Sequence, residues 1–159
     1  MRIGHGIDVH AFAEGRPLWL GGVLIPFHLG LDGHSDADVV IHALCDALLG
    51  AAHLRDIGFH FPDTPGNAFE NIDSKVLLKE VMQMIRKQHY RVVNADITIC
   101  AQQPKLSAHI PLMEETIASV MGIGVADVSI KATTTEHLGF LGREEGILSS
   151  AVVLLDNFF

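Results

Sequence analysis

Positive charge is scarce in this chain: 11 Lys and Arg stand against 19 Asp and Glu over 159 residues, a formal net charge of -8. That balance argues against a nucleic-acid backbone as partner. An anionic substrate would need local help from a metal, a lysine or backbone N–H groups. Cysteine is scarce too. Cys45 and Cys100 both sit inside apolar runs, which reads as buried free thiols and not a disulfide framework. No apolar run reaches the ~18 residues of a membrane helix. The chain passes from Met1 and Arg2 straight into a strand-like stretch, so no signal peptide and a cytoplasmic location are expected. Walker A, G-x-G-x-x-G, H-E-x-x-H and nucleophile-elbow motifs are all missing. There is no internal repeat, linker or low-complexity segment.

What is present is a globular composition, 48% apolar and 19% charged. At this length a chain buries roughly 70% of its unfolded surface, and a single domain spanning 1–159 is expected. Residues 2–10 read as a strand and the Gly/Pro-rich 15–31 as a loop or ribbon. Ser35 and Asp36 are candidate N-caps for a helix over "DADVVIHALCDALLGAAHL", with Val40, Leu44, Leu48 and Ala51 or Ala52 on its apolar face. Residues 55–71 read as a long loop, a feature that is often functional. A second amphipathic helix covers 74–89, with Leu77, Leu78, Val81, Met84 and Ile85 inward. Alternation over 92–101 places Val93, Ala95, Ile97 and Ile99 on the buried face of a strand. Pro111 opens a third helix and Gly122 closes it. Residues 126–134 alternate again. "ILSSAVVLL" (147–155) is apolar on both faces, as in a central strand or one buried in a subunit interface. The sum is an α+β domain, a mixed β-sheet with helices on one face.

The opening "RIGHGIDVH" puts Asp8 and His10 at i and i+2, on one face of a strand. The pair can chelate an ion, but a catalytic zinc wants three protein ligands; a solvated polar face is the alternative. His42 lies inside an otherwise apolar helix, with Asp38 and Asp46 four residues to either side on the same face. A ligating histidine needs such a partner for its other nitrogen, although a histidine on a polar helix face explains the pattern as well. An Asp/His/His set suits zinc. In "GHSDAD", His34 and Ser35 stand at a helix N-terminus, where anions bind. "KATTTEHLGFLGREEG" ends a strand in three threonines and Glu136, followed by a Gly-rich loop with Arg143. Hydroxyls and a carboxylate there can hold phosphates and a hard cation such as magnesium, or they form an ordinary turn. Lys105 follows a strand in "AQQPKLSAHIP". These residues describe a metal site near phosphate-friendly elements without naming a substrate.

Five stretches in order, "RIGHGIDVHAF", "GHSDADVVIHALCDALLGAA", "DIGFHFPDT", "QQPKLSAHIP" and "KATTTEHLGFLGREEGI", resemble the 2-C-methyl-D-erythritol 2,4-cyclodiphosphate synthases, from about residue 1 to 155. The resemblance implies a bacillus chorismate mutase-like/ferredoxin-like architecture. It also implies a homotrimer with active sites between neighbouring subunits. The implied reaction is cyclisation of 4-diphosphocytidyl-2-C-methyl-D-erythritol 2-phosphate with release of CMP, in non-mevalonate isoprenoid synthesis. By the same resemblance Asp8, His10 and His42 are zinc ligands, and Glu136 is the protein ligand of Mg2+ or Mn2+. His34, Ser35 and Thr134 are catalytic. Asp56, Gly58, Phe61 and Asp63 bind substrate, the first two at the methylerythritol. Ala101, Lys105, Leu106 and Ser107 cradle cytidine and its phosphate, and Thr133 and Thr134 meet the diphosphate. Phe140 and Arg143 complete the substrate-binding set and flank a cavity near the trimer axis proposed to take isoprenoid diphosphates.

The chain departs from the family pattern at Pro65, at the residues after Lys105, and at Ser150, where some members carry glutamate. Two other readings use the same residues. A zinc-dependent phosphoester hydrolase would give an open-chain product, and a metal-stabilised trimeric binding module would bind without turnover.

Overall fold

The computed structural model describes residues 1–62 and 72–158. In chain order the elements are β1 (Arg2–Ala13), β2 (Leu18–Leu20), β3 (Val23–Ile25), β4 (Gly30–Leu31), α1 (Val39–Ala51), α2 (Ile57–His60), α3 (Ser74–Lys87), β5 (Tyr90–Cys100) and α4 (Ile110–Met121). A single 3-10 turn (Val125–Asp127), β6 (Val128–Thr133), α5 (Gly139–Gly142) and β7 (Gly146–Asn157) complete it. The main sheet runs β4-β1-β7-β5-β6, and β2 and β3 form a separate hairpin. Only β5 and β6 are parallel; β1, β7 and β5 pair antiparallel. The expected mixed sheet is therefore present, with the doubly apolar β7 at its centre. None of the described helices is long and apolar enough to cross a membrane.

Along β1 the side facing the helices carries Gly4, Gly6, Asp8 and His10, and the other side carries Ile3, His5, Ile7 and Val9. Strand β7 alternates likewise, with Ile147, Ser149, Ala151, Val153 and Leu155 inward. Helix α1 lies on β1 and β7 and is covered in turn by α3. This sandwiched position buries it all round, from Val39 to Ala51 except Asp46 and Gly50. The expected apolar stripe of α1 thus widens to nearly its whole surface, His42 and Asp46 apart, as for a helix inside a core.

Several local expectations are corrected. The α1 cap is Asp38, not Ser35 or Asp36: its carboxylate accepts from Val40 N and Ile41 N at 3.1 Å each. The same carboxylate accepts from Gly21 N at 2.9 Å and Gly22 N at 2.6 Å, which ties the β2–β3 turn to the helix. Burial pushes the Asp38 carboxyl up, and these backbone donors oppose it. Asp38→Ala removes the cap and leaves buried N–H groups unmatched, so it is expected to cost about 3 kcal/mol in chemical denaturation. In β5 a bulge between Val92 and Asn94 turns Val92 inward and leaves Val93 exposed. Finally, Cys45 is buried but Cys100 is only half-buried, and both are free thiols. The segment read as one strand over 126–134 starts as the 3-10 turn, and short helices α2 and α5 interrupt stretches read as loops.

The third helix matches its punctuation. Pro111 sits in the first turn of α4, and Gly122 ends it with φ 69°, a left-handed conformation that glycine adopts without a Cβ penalty.

Candidate functional site

Two glycines bring the site together. A Cβ on Gly4 would lie 1.9 Å from the Ala47 carbonyl oxygen, and one on Gly6 would lie 2.1 Å from that of Ala43. Their absence lets α1 lie with its Ala43, Ala47 and Ala51 side directly on β1. His42 is thereby brought over Asp8 and His10. Asp8 Oδ2 is 3.1 Å from His10 Nε2 and 3.2 Å from His42 Nδ1. The two rings have centroids 5.7 Å apart and are tilted by 58°. One ligand atom from each of the three residues lies within 4.8 Å of the others, so the trio could hold a metal ion; no second such trio occurs among the described residues.

Each ring nitrogen that faces away from Asp8 has its own partner. His10 Nδ1 is 2.5 Å from the Asp32 carbonyl oxygen, which can only accept, so Nδ1 carries a proton and in the neutral ring Nε2 presents a lone pair. His42 Nε2 is 3.1 Å from Ser74 Oγ and 3.4 Å from Ser35 Oγ. Neither Asp38 nor Asp46, the flanking carboxylates expected to orient His42, bonds to it: Asp38 is taken by backbone N–H groups, and Asp46 accepts from Ile57 N at 2.8 Å. Burial raises the pKa of the Asp8 carboxyl, but the hydrogen bonds and charges of His10 and His42 outweigh it and hold the group well below the usual carboxylate range. The hydrogen bond to Asp8 raises His10 against the effect of burial. In the imidazolium form Nε2 donates to Asp8, and a cation binding here takes the place of that proton.

Asp8, His10, His34, Ser35, His42, Gly58 and Phe61 line one 220 Å³ cavity, together with Gly33, Ile57, Ile72 and Leu77. Asp56 stands next to it and caps α2, accepting from Phe59 N at 2.9 Å. At the N-terminus of α1 the Asp38 carboxylate takes the Val40 and Ile41 N–H groups that an anion there would use. Any phosphate contact by His34 and Ser35 therefore rests on their own groups. Their loop is held by Arg16, which sequence reasoning missed: it donates to the Gly33 carbonyl at 2.6 Å and the Ser35 carbonyl at 2.5 Å. Asp63 lies outside the described residues.

A second cavity, of 510 Å³, is lined by Ala101, Lys105, Leu106, Ser107, Thr133 and Thr134, with Gln102, Gln103, Pro104 and Ala132. Glu136 sits at its threonine end, where its carboxylate accepts from Thr134 Oγ1 at 3.1 Å. Its backbone is left-handed, φ 52°, a conformation that is uncommon without glycine. Glu136 is not part of the Asp8, His10, His42 cluster. Phe140 and Arg143 line neither cavity; Arg143 Nε donates to Glu145 Oε1 at 2.6 Å.

The two cavities stand at one level of the sheet but on different strands. Asp8 pairs with Ser149, Ser149 with Ile99 and Ile99 with Ala132. At 4.7–4.9 Å per strand, three steps separate the metal trio from the threonine strand by about 14 Å.

The profile of the YgbB family matches residues 1–156. A curated relative from Bacteroides thetaiotaomicron, a 2-C-methyl-D-erythritol 2,4-cyclodiphosphate synthase, is 62% identical over 156 residues, which is 98% of each chain. A solved 2C-methyl-D-erythritol-2,4-cyclodiphosphate synthase in a CDP-bound form is similar with a TM-score of 0.89 and 37% identity, over 98% of this chain and 100% of that one. The bifunctional IspDF from Campylobacter jejuni gives a TM-score of 0.95 and 44% identity over 99% of this chain, which spans 42% of that longer one.

Proposed function

The chain belongs to the YgbB family, whose relatives here are 2-C-methyl-D-erythritol 2,4-cyclodiphosphate synthases, and we propose that its two cavities are the two halves of that enzyme's active site. The activity is cyclisation of 4-diphosphocytidyl-2-C-methyl-D-erythritol 2-phosphate to the 2,4-cyclodiphosphate, with CMP released. The observation that carries this reading is the Asp8, His10, His42 trio, held in a fold matched over nearly its whole length by a CDP-bound synthase.

In the reaction an oxygen of the substrate's own 2-phosphate bonds to the β-phosphorus. The bond from that phosphorus to the bridging oxygen breaks, and CMP leaves with the electron pair. No bond to the protein forms. The chain's task is therefore alignment, which can contribute roughly 7–11 kcal/mol when both reacting groups are tethered. His34 and Ser35 orient the attacking phosphate. Asp56, Gly58 and Phe61 hold the methylerythritol side, and Asp63 is assigned with them from the sequence. The 101–107 loop, with Lys105, Leu106 and Ser107, receives the cytidine, while Thr133 and Thr134 contact the diphosphate. Phe140 and Arg143 extend this surface. The donor sets fit the expected cations: two neutral imidazole nitrogens and a carboxylate for Zn2+, and the Glu136 carboxylate beside substrate oxygens for Mg2+ or Mn2+. Bound there, divalent cations supply positive charge against phosphate oxygens, which a chain of net charge -8 otherwise lacks.

The separation of the half-sites across three strand steps, about 14 Å, supports a homotrimer in which one subunit's metal edge meets its neighbour's threonine edge. The sheet face away from the helices supports it too: Ile3, Ile7, Val9 and Val152 are exposed there, more apolar surface than a monomer comfortably leaves in water. Residues 1–159 act as one synthase domain, and its work in isoprenoid precursor synthesis agrees with a cytoplasmic location.

Phosphorus NMR of the purified protein with the cytidylyl substrate, zinc and magnesium tests the reaction. Paired signals of a ring diphosphate with stoichiometric CMP are expected; an open-chain phosphate would make the protein a hydrolase, and unchanged substrate a binding module. Glu136→Gln is expected to raise the magnesium needed for half-maximal rate by about tenfold or more, since ligand charge sets affinity for hard cations. Zinc content should not change. An unaltered magnesium titration would remove Glu136 from that role.

A further inference from the structure

Ser74 and Asp36 are polar groups that neither cavity's chemistry uses. Ser74 is the first residue of α3 and is fully buried. Its backbone N–H donates to Asp36 Oδ2 at 2.8 Å, and its hydroxyl donates to Asp36 Oδ1. Asp36 Oδ1 also accepts from Asp38 N at 3.2 Å. Three donors thus converge on one carboxylate, and an ionised carboxylate can only accept.

That fixes a direction. Ser74 has one hydroxyl proton, and it is committed to Asp36. Its oxygen has only lone pairs left for His42 Nε2, 3.1 Å away; the Ser35 hydroxyl is farther, at 3.4 Å, so the shorter contact makes Nε2 the protonated nitrogen. His42 Nδ1 is then bare, and Nδ1 is the atom that faces Asp8 at 3.2 Å. With His10 Nε2 already bare through the Asp32 carbonyl, two imidazole lone pairs and a carboxylate oxygen converge. With both rings neutral, these three acceptors meet without a donor, which favours a cation between them.

We propose that Asp36 and Ser74 form a relay that sets the His42 tautomer, so that Nδ1 and not Nε2 is offered to the metal. Both are positioning residues acting through His42. The relay also ties the ligand on α1 to the start of α3, so the ring cannot turn over without breaking the bond between the two helices. This inference rests on the reading that a divalent cation sits between Asp8, His10 and His42.

The test separates the tautomer from the metal. Long-range 1H–15N NMR of the metal-free protein at pH 8 reads which His42 nitrogen carries hydrogen, and a zinc titration followed by calorimetry reads affinity. In the unaltered protein Nε2 is expected to be protonated. Ser74→Ala should mix the two tautomers and weaken zinc by about 10–100-fold, as removal of groups that orient metal ligands does. Asp36→Asn should do the same, because an amide cannot accept from both Ser74 donors. Thermal melts identify a variant that merely unfolds, and the other variant then decides. Protonated Nδ1 in the unaltered protein, or both variants folded with unchanged zinc affinity, would overturn the relay. Protonated Nε2 in a protein that takes up no zinc would uphold the relay and overturn the metal reading alone.

Discussion

His42→Ala is expected to empty the metal site and abolish turnover while the subunits stay folded and assembled. In the proposed metal site the ring is one of three ligands, and two remaining donors, Asp8 and His10, do not make a zinc site. Zinc by elemental analysis should fall from about one per chain to near zero. The value of kcat/KM should drop at least about 10³-fold, or about 4 kcal/mol of transition-state stabilisation. Stability should suffer less. His42 makes three polar contacts, with Asp8, Ser74 and Ser35, but α1 is held mainly by its apolar surface against β1, β7 and α3. A folded, zinc-loaded and active variant would take His42 out of the site.

How far the sequence could be read differs by residue. Asp8 and His10 were legible as a pair because strand period places i and i+2 together. His42 was legible because a histidine inside an apolar helix is conspicuous. Its orienting partner was not: Asp38 and Asp46 are its helical neighbours, whereas Ser74 comes 32 positions later on another helix. The α1 cap shows a second limit. Ser35, Asp36 and Asp38 all satisfy the capping preference, and only the arrival of the Gly21 and Gly22 N–H groups decides among them. Val93 was placed inward by a clean alternation that a one-residue bulge shifts. The candidate residues of both cavities were identifiable one by one, and Asp8, His10 and His42 are brought together as a group that could hold a metal ion. Their separation into two cavities follows from strand order, which the local patterns do not carry.

Gly6→Ala is expected to be as damaging to the site as a change in a ligand, although Gly6 touches none. The new Cβ would stand 2.1 Å from the Ala43 carbonyl oxygen and 2.7 Å from Ala47 N. Both are backbone atoms of α1, so no side chain can turn aside. Ordinary contact requires the helix to retreat by about 1 Å, and overpacking of this kind costs about 1–3 kcal/mol or more. The melting point should fall by roughly 5–10 °C. Because α1 carries His42, the same retreat pulls Nδ1 away from Asp8, and zinc affinity should fall even in protein that remains folded. Gly50→Ala is the control. Gly50 lies in the same helix, and a Cβ added there would meet nothing within 4 Å, so alanine should stabilise by about 0.5–1 kcal/mol and leave zinc binding unchanged. If Gly6→Ala bound zinc as tightly as the parent, the metal site would not depend on the close approach of α1 to β1, and the geometry that unites Asp8, His10 and His42 would need another cause.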